Sequence, residues 1–323
     1  MTKFIFDCDP GHDDAIAVIL AAAHLDIIGL TTVGGNQTIE KVTSNALKVL
    51  EKIGKSHIPV YPGATAPWIQ ELEIAPMFHG DSGLDGPVLP EPSQKPGDTP
   101  GPQFIVESVH AHKNISLIAT GPLTNIATAL QLDPGIVAGV KEIFIMGGSA
   151  TFGNWTPAAE FNIYVDPEAA YKVFNSGIPV RMSGLNLTRQ SFFTRADMQK
   201  LLEIGTETAQ FVYDLLDFFI DTSMEEAHLT GGNLHDVVAA AWAVDSDLIK
   251  AVDMHVQIEL NGQNTRGMTI CDSRHLRGKD PLIDLDHSAT AERRGLAPNC
   301  SVGMELDSDA FFALIFDTLK EYK

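Results

Sequence analysis

Residues 4–14 read Phe4-Ile5-Phe6-Asp7-Cys8-Asp9-Pro10-Gly11-His12-Asp13-Asp14. An apolar triplet ends in a loop that packs four carboxylates into eight residues, and apolar sequence resumes at Ala15. The triplet reads as a short strand and Asp14 to Ala23 as the helix that follows it. Pro10 and Gly11 set a tight turn between them. Carboxylates crowded on one loop repel each other unless a cation sits among them. The plainer alternative is helix capping plus a solvated acidic turn. The place of the loop argues for a site, because ligands of open α/β sheets bind beyond the carboxyl ends of the strands.

The same rhythm continues outward. Ile27 to Val33 reads as a strand, and Thr38 to Ile53 as a helix with Ile39, Val42, Ala46, Val49 and Leu50 on one face. Strands follow at 58–61, 116–119 and 142–146, each beside helical sequence. Strand and helix alternating in this way predict a mostly parallel, doubly wound, Rossmann-like α/β sheet with right-handed crossovers and helices on both faces. Site residues are then expected just past strand ends, at 7–14, 34–37, 120–125 and 147–162. The six prolines between residues 84 and 102 mark a surface loop. A helical insertion is expected from about 194 to 227. No Pro/Gly linker divides the chain, so 1–323 reads as one domain.

Composition narrows the function. The formal charge of −20 repels phosphate backbones and argues against a nucleic-acid partner. No apolar run approaches the ~20 residues of a membrane span. The N-terminus lacks the apolar stretch of a signal peptide, so a cytoplasmic protein is expected. Cys8, Cys271 and Cys300 form no CxxC pair and no zinc spacing, which reads as reduced thiols. With oxygen ligands alone at hand, a hard cation, calcium or magnesium, is favoured. An EF-hand is excluded, since the sixth and twelfth positions from Asp7 are His12 and Val18. Neither GxGxxG after a strand nor GxxxxGK[ST] occurs. A strand ending in Asp-x-Asp also opens the haloacid-dehalogenase-like magnesium phosphatases. Those continue with Thr or Val where this chain has Pro10-Gly11, and they need a later strand-end lysine. Lys141 precedes its strand instead.

Asp7 to Ala15 resembles the signature of the inosine-uridine-preferring nucleoside hydrolases. Gly35-Asn36-Gln37-Thr38, the run from His79 to Gly86, the run from Thr120 to Asn125, Met146-Gly147-Gly148, the run from Gly153 to Asn162, and His235-Asp236 fit the same family in the same order. The resemblance spans nearly the whole chain. It implies calcium-dependent hydrolysis of the bond between ribose and base. Calcium would be held by Asp9, Asp14, Asp236 and the backbone carbonyl of Thr120, and Asp9 would be the general base. Asp13, Asn36, Glu160 and Asn162 would hold ribose hydroxyls, Asn154 would lie near the 5′-hydroxyl, and Asp7 would support the loop from behind. His235 would protonate the leaving base, with His79 lining the same end. The chemistry suits these residue types. Breaking an N-glycosidic bond builds an oxocarbenium-like charge on the ribose, which fixed carboxylates stabilise.

Of the 11 histidines, His79 and His235 sit inside motifs, while His24, His57 and His110 carry none. For His12 a structural role is at least as fitting as a catalytic one. The histidine pattern resembles the pyrimidine-preferring branch and points to uridine or cytidine. Some members of that branch carry Gln and Tyr before the last His-Asp motif, where this chain has Ser223-Met224-Glu225-Glu226-Ala227-His228. His228 is the candidate substitute there. The resemblance also implies a homo-oligomer, a dimer or tetramer. A protein that binds nucleoside and calcium without turnover is the alternative, and a full set of Asp9, Asp14, Asp236 and His235 argues against it.

Overall fold

The computed structural model describes residues 2–227, 230–274 and 296–322. The first part of the chain forms β1 (Lys3–Cys8), α1 (His12–His24), β2 (Asp26–Thr32), α2 (Ile39–Lys52), β3 (Val60–Pro62), α3 (Pro76–His79) and α4 (Gly101–Ala111). Then come β4 (Ile115–Ala119), α5 (Thr124–Leu132), β5 (Val140–Met146), α6 (Phe161–Val165), α7 (Pro167–Phe174), β6 (Val180–Ser183) and α8 (Leu185–Thr188). The last third holds β7 (Phe192–Thr194), α9 (Arg195–Ile204), α10 (Glu207–Ala227), β8 (Gly231–Asn233) and α11 (His235–Val244). It closes with β9 (Ile249–Ile258), β10 (Thr269–Asp272), β11 (Cys300–Leu306) and α12 (Ser308–Glu321).

Nine strands make one sheet in the order β10-β9-β11-β6-β5-β4-β1-β2-β3. Six consecutive strands, from β6 to β3, pair in parallel, and β11 joins β6 in the same sense. The sheet is thus mostly parallel, as the alternation of elements predicts. Its far edge departs from that pattern, because β9 runs antiparallel to β11 and β10 antiparallel to β9.

Side chains alternate across β1 with the two-residue period of a strand. Phe4, Phe6 and Cys8 enter a core shared with α1, α2, α10 and α11, whereas Ile5 enters the core on the opposite face, shared with α4, α5 and α7. Helices therefore cover both faces. α1 is buried from His12 to Ala22, which explains why its sequence is apolar nearly all round. It packs against α11, whose Trp242 is among the largest buried side chains.

The order of strands locates the site. After β1 the chain winds outward through β2 and β3, and β4 then returns to the other side of β1. The carboxyl ends of β1 and β4 flank this topological switch point, where open α/β sheets bind ligands. The proline-rich stretch carries no helix or strand between His79 and Gly101. Among the described residues no helix is long and apolar enough to cross a membrane.

Candidate functional site

The loop from β1 into α1 is tied down by its own carboxylates. Asp14 Oδ2 accepts the Gly11 backbone N–H at 3.0 Å, so the residue that ends the loop also fastens the first turn of α1. Asp14 Oδ1 accepts the Thr120 hydroxyl at 2.7 Å, which joins the ends of β1 and β4. Asn36, from the loop after β2, donates its backbone N–H to Asp9 Oδ2 at 2.6 Å and its amide to Asp14 at 3.2 Å. Asp7 lies beneath, accepting from the Thr31 hydroxyl at 2.5 Å and the Asn125 amide at 2.7 Å.

Asp9 is walled in by backbone. A Cβ on Gly35 would fall 2.1 Å from its Oδ2, and one on Gly121 would fall 2.6 Å from its Oδ1. Only glycine lets these two loops close on the carboxylate. Asp9 Oδ1 is nevertheless buried without a hydrogen-bond partner.

Asp13, Asp14 and Asp236 are buried and each offers a carboxylate oxygen within 4.8 Å of the others. Asp236 enters from the first turn of α11, and its backbone N–H donates to Asp13 Oδ2 at 3.3 Å. Burial first, and then the neighbouring negative charges, push the Asp236 carboxyl well above the usual carboxylate range. Burial and the charge of Asp14 do the same to Asp9 and carry Asp13 to about 7. The Asp14 carboxyl is raised too, by burial, against hydrogen bonds that work the other way. An orphaned buried oxygen on Asp9 beside three clustered carboxylates is a donor set that fits a hard cation.

Glu160 caps α6 through the backbone N–H groups of Asn162 and Ile163 and also accepts the Gly148 N–H at 2.9 Å. Burial raises its carboxyl to about 7. The Asn162 amide donates to the Thr120 carbonyl at 2.7 Å and to the Met146 carbonyl at 3.1 Å. The Thr120 carbonyl keeps a second lone pair for another partner.

These groups face a cavity of about 640 Å³, a size suited to a small organic molecule. Asp13, Asn36, Thr120, Glu160, Asn162 and Asp236 form its polar end, and His79, Asn154 and His235 also line it. Asp9 and Asp14 stand behind that wall. The structure thus gathers the described candidate residues around one site from six separate stretches of chain. His228 lies outside the described residues.

The cavity is also lined by aromatic rings, those of Phe78, Phe152, Trp155, Phe161, Phe192 and Phe219. His79 ends α3 and stacks on His12 and Phe219, with ring centroids 5.3 and 5.6 Å apart. His12 bridges His79 Nδ1, at 3.0 Å, and the Asp85 carbonyl, at 2.8 Å. His12 is thus part of the support for His79. His235 Nδ1 pairs with the Thr188 hydroxyl at 2.7 Å. Burial lowers His12 and His235 to about 4, Arg189 adding to the effect on His235, and holds His79 well below the usual imidazole range. All three rings are neutral near pH 7.

Reading the sequence does not find the aromatic wall, Thr188 or Arg189. The Gly153-to-Asn162 motif borders Phe152 and includes Trp155, and that proximity was the available signal. Phe219 gives none, since a phenylalanine in a long amphipathic helix looks like ordinary core.

A family model described as inosine-uridine preferring nucleoside hydrolase matches residues 4–313. A pyrimidine-specific ribonucleoside hydrolase RihA of Salmonella arizonae is 42 % identical over 322 residues, covering 98 % of both chains. One from Escherichia coli is 40 % identical over the same span. Among solved structures, a purine-preferring ribonucleoside hydrolase from Gardnerella vaginalis superposes with a TM-score of 0.88 at 31 % identity, covering 99 % of this chain and 98 % of that one. A plant nucleoside hydrolase gives 0.87 at 32 % identity, covering 99 % of each.

Proposed function

The chain belongs to the inosine-uridine preferring nucleoside hydrolase family and is an N-glycosidic hydrolase, and on that footing we propose that it cleaves pyrimidine ribonucleosides such as uridine and cytidine in a calcium-dependent reaction. The observation that carries the reading is the cavity itself, lined both by buried carboxylates and amides and by aromatic rings and neutral imidazoles. That combination suits a polar sugar joined to a flat base. The pyrimidine preference draws on the RihA relatives, which are nearer in sequence than the purine-preferring neighbour.

In this reading Asp9, Asp14, Asp236 and the Thr120 carbonyl hold the calcium ion. When bound, it keeps the surrounding carboxylates ionised and orients and acidifies the attacking water. Asp9 takes the proton of that water, and its unpartnered Oδ1 is the free acceptor this role needs. Asp13, Asn36, Glu160 and Asn162 bind the ribose hydroxyls, and Asn154 the 5′ end. Glu160 and Asn162 are themselves fixed by backbone hydrogen bonds, so their polar groups are oriented before substrate arrives. The buried negative charge stabilises the positive charge that develops on the sugar. His79 and His235 also line the cavity, and His235, neutral near pH 7 in the free protein, is the proton donor to the departing base once it has taken up a proton from solvent.

A panel of purified ribonucleosides, with free base and ribose measured, tests this. Uridine and cytidine should be cleaved fastest, and chelation should abolish the activity. Purine nucleosides cleaved faster than either would overturn the base preference. Tight nucleoside binding without release of ribose would favour a binding protein instead.

A further inference from the structure

Among the described residues that line the cavity there is one arginine, Arg189, which the reaction just described leaves unused. Arg189 follows α8 directly after Thr188, the residue that holds the His235 ring. It lines the same cavity as His79, Phe219 and His235. Its guanidinium carbon stands 4.2 Å from the centroid of the Phe152 ring, and it reaches the Gly153 carbonyl only at 3.5 Å. Each of the other described arginines pairs with a carboxylate: Arg181 with Glu142, Arg195 with Asp217, Arg266 with Glu168 and Arg274 with Asp272. Arg189 has no such partner among the described residues, in a chain with 42 acidic residues.

A guanidinium carries five N–H donors, and stacking on an aromatic face fixes its plane without using them. Here nearly all of them stay unclaimed inside a binding cavity. Partial burial of the group also works against its charge. A half-buried cation without a counter-ion costs stability unless a ligand supplies the negative charge.

Resting on the nucleoside hydrolase reading above, we infer that Arg189 is a catalytic residue for the leaving group: its guanidinium binds an exocyclic carbonyl oxygen of the pyrimidine, where negative charge gathers as the glycosidic bond breaks. In that step the bond between C1′ and the ring nitrogen breaks, and its electron pair passes to the base and spreads onto the ring carbonyls. The water oxygen bonds to C1′, and one of its protons goes to Asp9. The base takes its proton from His235, which draws that proton from solvent, and Asp9 returns its own proton to solvent, so one water is consumed. The contact is modest with a neutral base and strong with an anionic one. Its loss therefore falls on kcat more than on KM.

The test compares wild type, Arg189→Met and Arg189→Lys on uridine and on p-nitrophenyl riboside, with a thermal melt of each protein. Methionine keeps a long stem against Phe152 and removes the charge. For Arg189→Met we expect kcat on uridine to fall about 10²-fold, the scale of losing one oriented donor, with KM changed less than about threefold. The nitrophenolate is a stable anion without help, so its release should slow by less than about fivefold. Arg189→Lys should recover part of the uridine rate, since it keeps the charge but not the planar fork. Equal losses on both substrates would mark Arg189 as a structural clip for the Phe152 loop and overturn the inference, as would an unchanged rate on uridine. If wild type cleaves neither substrate, the hydrolase reading fails and takes this inference with it. If wild type cleaves uridine and Arg189→Met matches it, this inference alone fails.

Discussion

Removing and restoring the divalent cation should move protons as well as metal. Asp13, Asp14 and Asp236 offer oxygens within 4.8 Å of one another. At that separation and an effective dielectric of about 20, each ionised pair repels by about 3 kcal/mol. Three pairs then approach 10 kcal/mol, comparable with the ~5–15 kcal/mol that holds a typical domain folded. Metal-free protein therefore keeps some of these carboxyls protonated. Burial and the neighbouring charge of Asp14 put Asp13 at about 7, and burial with neighbouring charge raises Asp9 and Asp236 well above the usual carboxylate range. Each native pKa lies above its unfolded value, so the folded chain binds more protons than the unfolded one between the two. The stability of metal-free protein should thus fall as pH rises from about 4 toward 7 and beyond.

A cation must displace those protons in order to bind. Calcium binding at pH 6 should release at least one proton per ion, and its Kd should tighten about tenfold per pH unit for each proton displaced. Calorimetric titration of chelator-stripped protein in two buffers of different ionisation enthalpy yields the proton count. Asp236→Asn should lower that count and weaken binding. A concentration of 100 times Kd adds about 2.7 kcal/mol, which should lift Tm by roughly 5 °C. Binding at pH 6 with a proton count near zero would mean that the carboxylates are already ionised without a cation, and the electrostatic argument would be wrong.

Other expectations follow from single contacts. Asp9→Asn should lower kcat by at least ~10²-fold while melting near wild type, because an amide oxygen still accepts the Asn36 N–H; a rate within a few-fold of wild type would remove Asp9 from the reaction. Deoxyuridine leaves the proposed ribose partners unpaired and should be cleaved at least ~10²-fold more slowly than uridine, so similar rates would refute the ribose clamp. At Glu142 burial raises the carboxyl, but Lys141 and Arg181 together outweigh it and hold it below the usual range. Its contribution is therefore full above the unfolded pKa near ~4.3 and is lost as pH falls through the native value. Glu142→Gln should cost about 1 kcal/mol at pH 7 and little near pH 3, and denaturant melts showing the same cost at both would refute the pairing.

The sheet was legible because burial imposes a period on the sequence. β1 alternates between two cores, and α2 shows one apolar face. The polar end of the site was legible because its residues crowd just past strand ends. The antiparallel edge was not. β9 is half exposed, and its partner β11 lies more than 40 residues away, so pairing is decided by tertiary contacts rather than by local pattern. The pair β7–β8 is equally hidden, since Gly231-Gly232-Asn233 has no strand propensity of its own. The cavity wall draws Phe152, Arg189 and Phe219 from three stretches far apart in sequence, and their meeting depends on tertiary packing. His12 reads as one more polar residue of the acidic loop. Its task shows only when the fold brings His79 to within 3.0 Å of it.

The acidic cluster is also placed where the backbone can bear it. Asp13 and Asp14 occupy the first turn of α1, and Asp236 the first turn of α11. These helices pack together, and the hydrogen bond from Asp236 N–H to Asp13 joins their N-termini. Each helix N-terminus acts as about half a positive charge. Two of them offset about one of the three clustered negative charges, which leaves about −2, the complement of one divalent cation. Asp9 adds a fourth carboxylate. With a divalent ion in place the balance stands near −1 before the attacking water gives up its proton, and a breaking N-glycosidic bond develops about +1 on the sugar. Removing one charge, as in Asp9→Asn or Asp236→Asn, disturbs that balance while α1 and α11 stay packed. Such variants should keep the fold and lose the reaction.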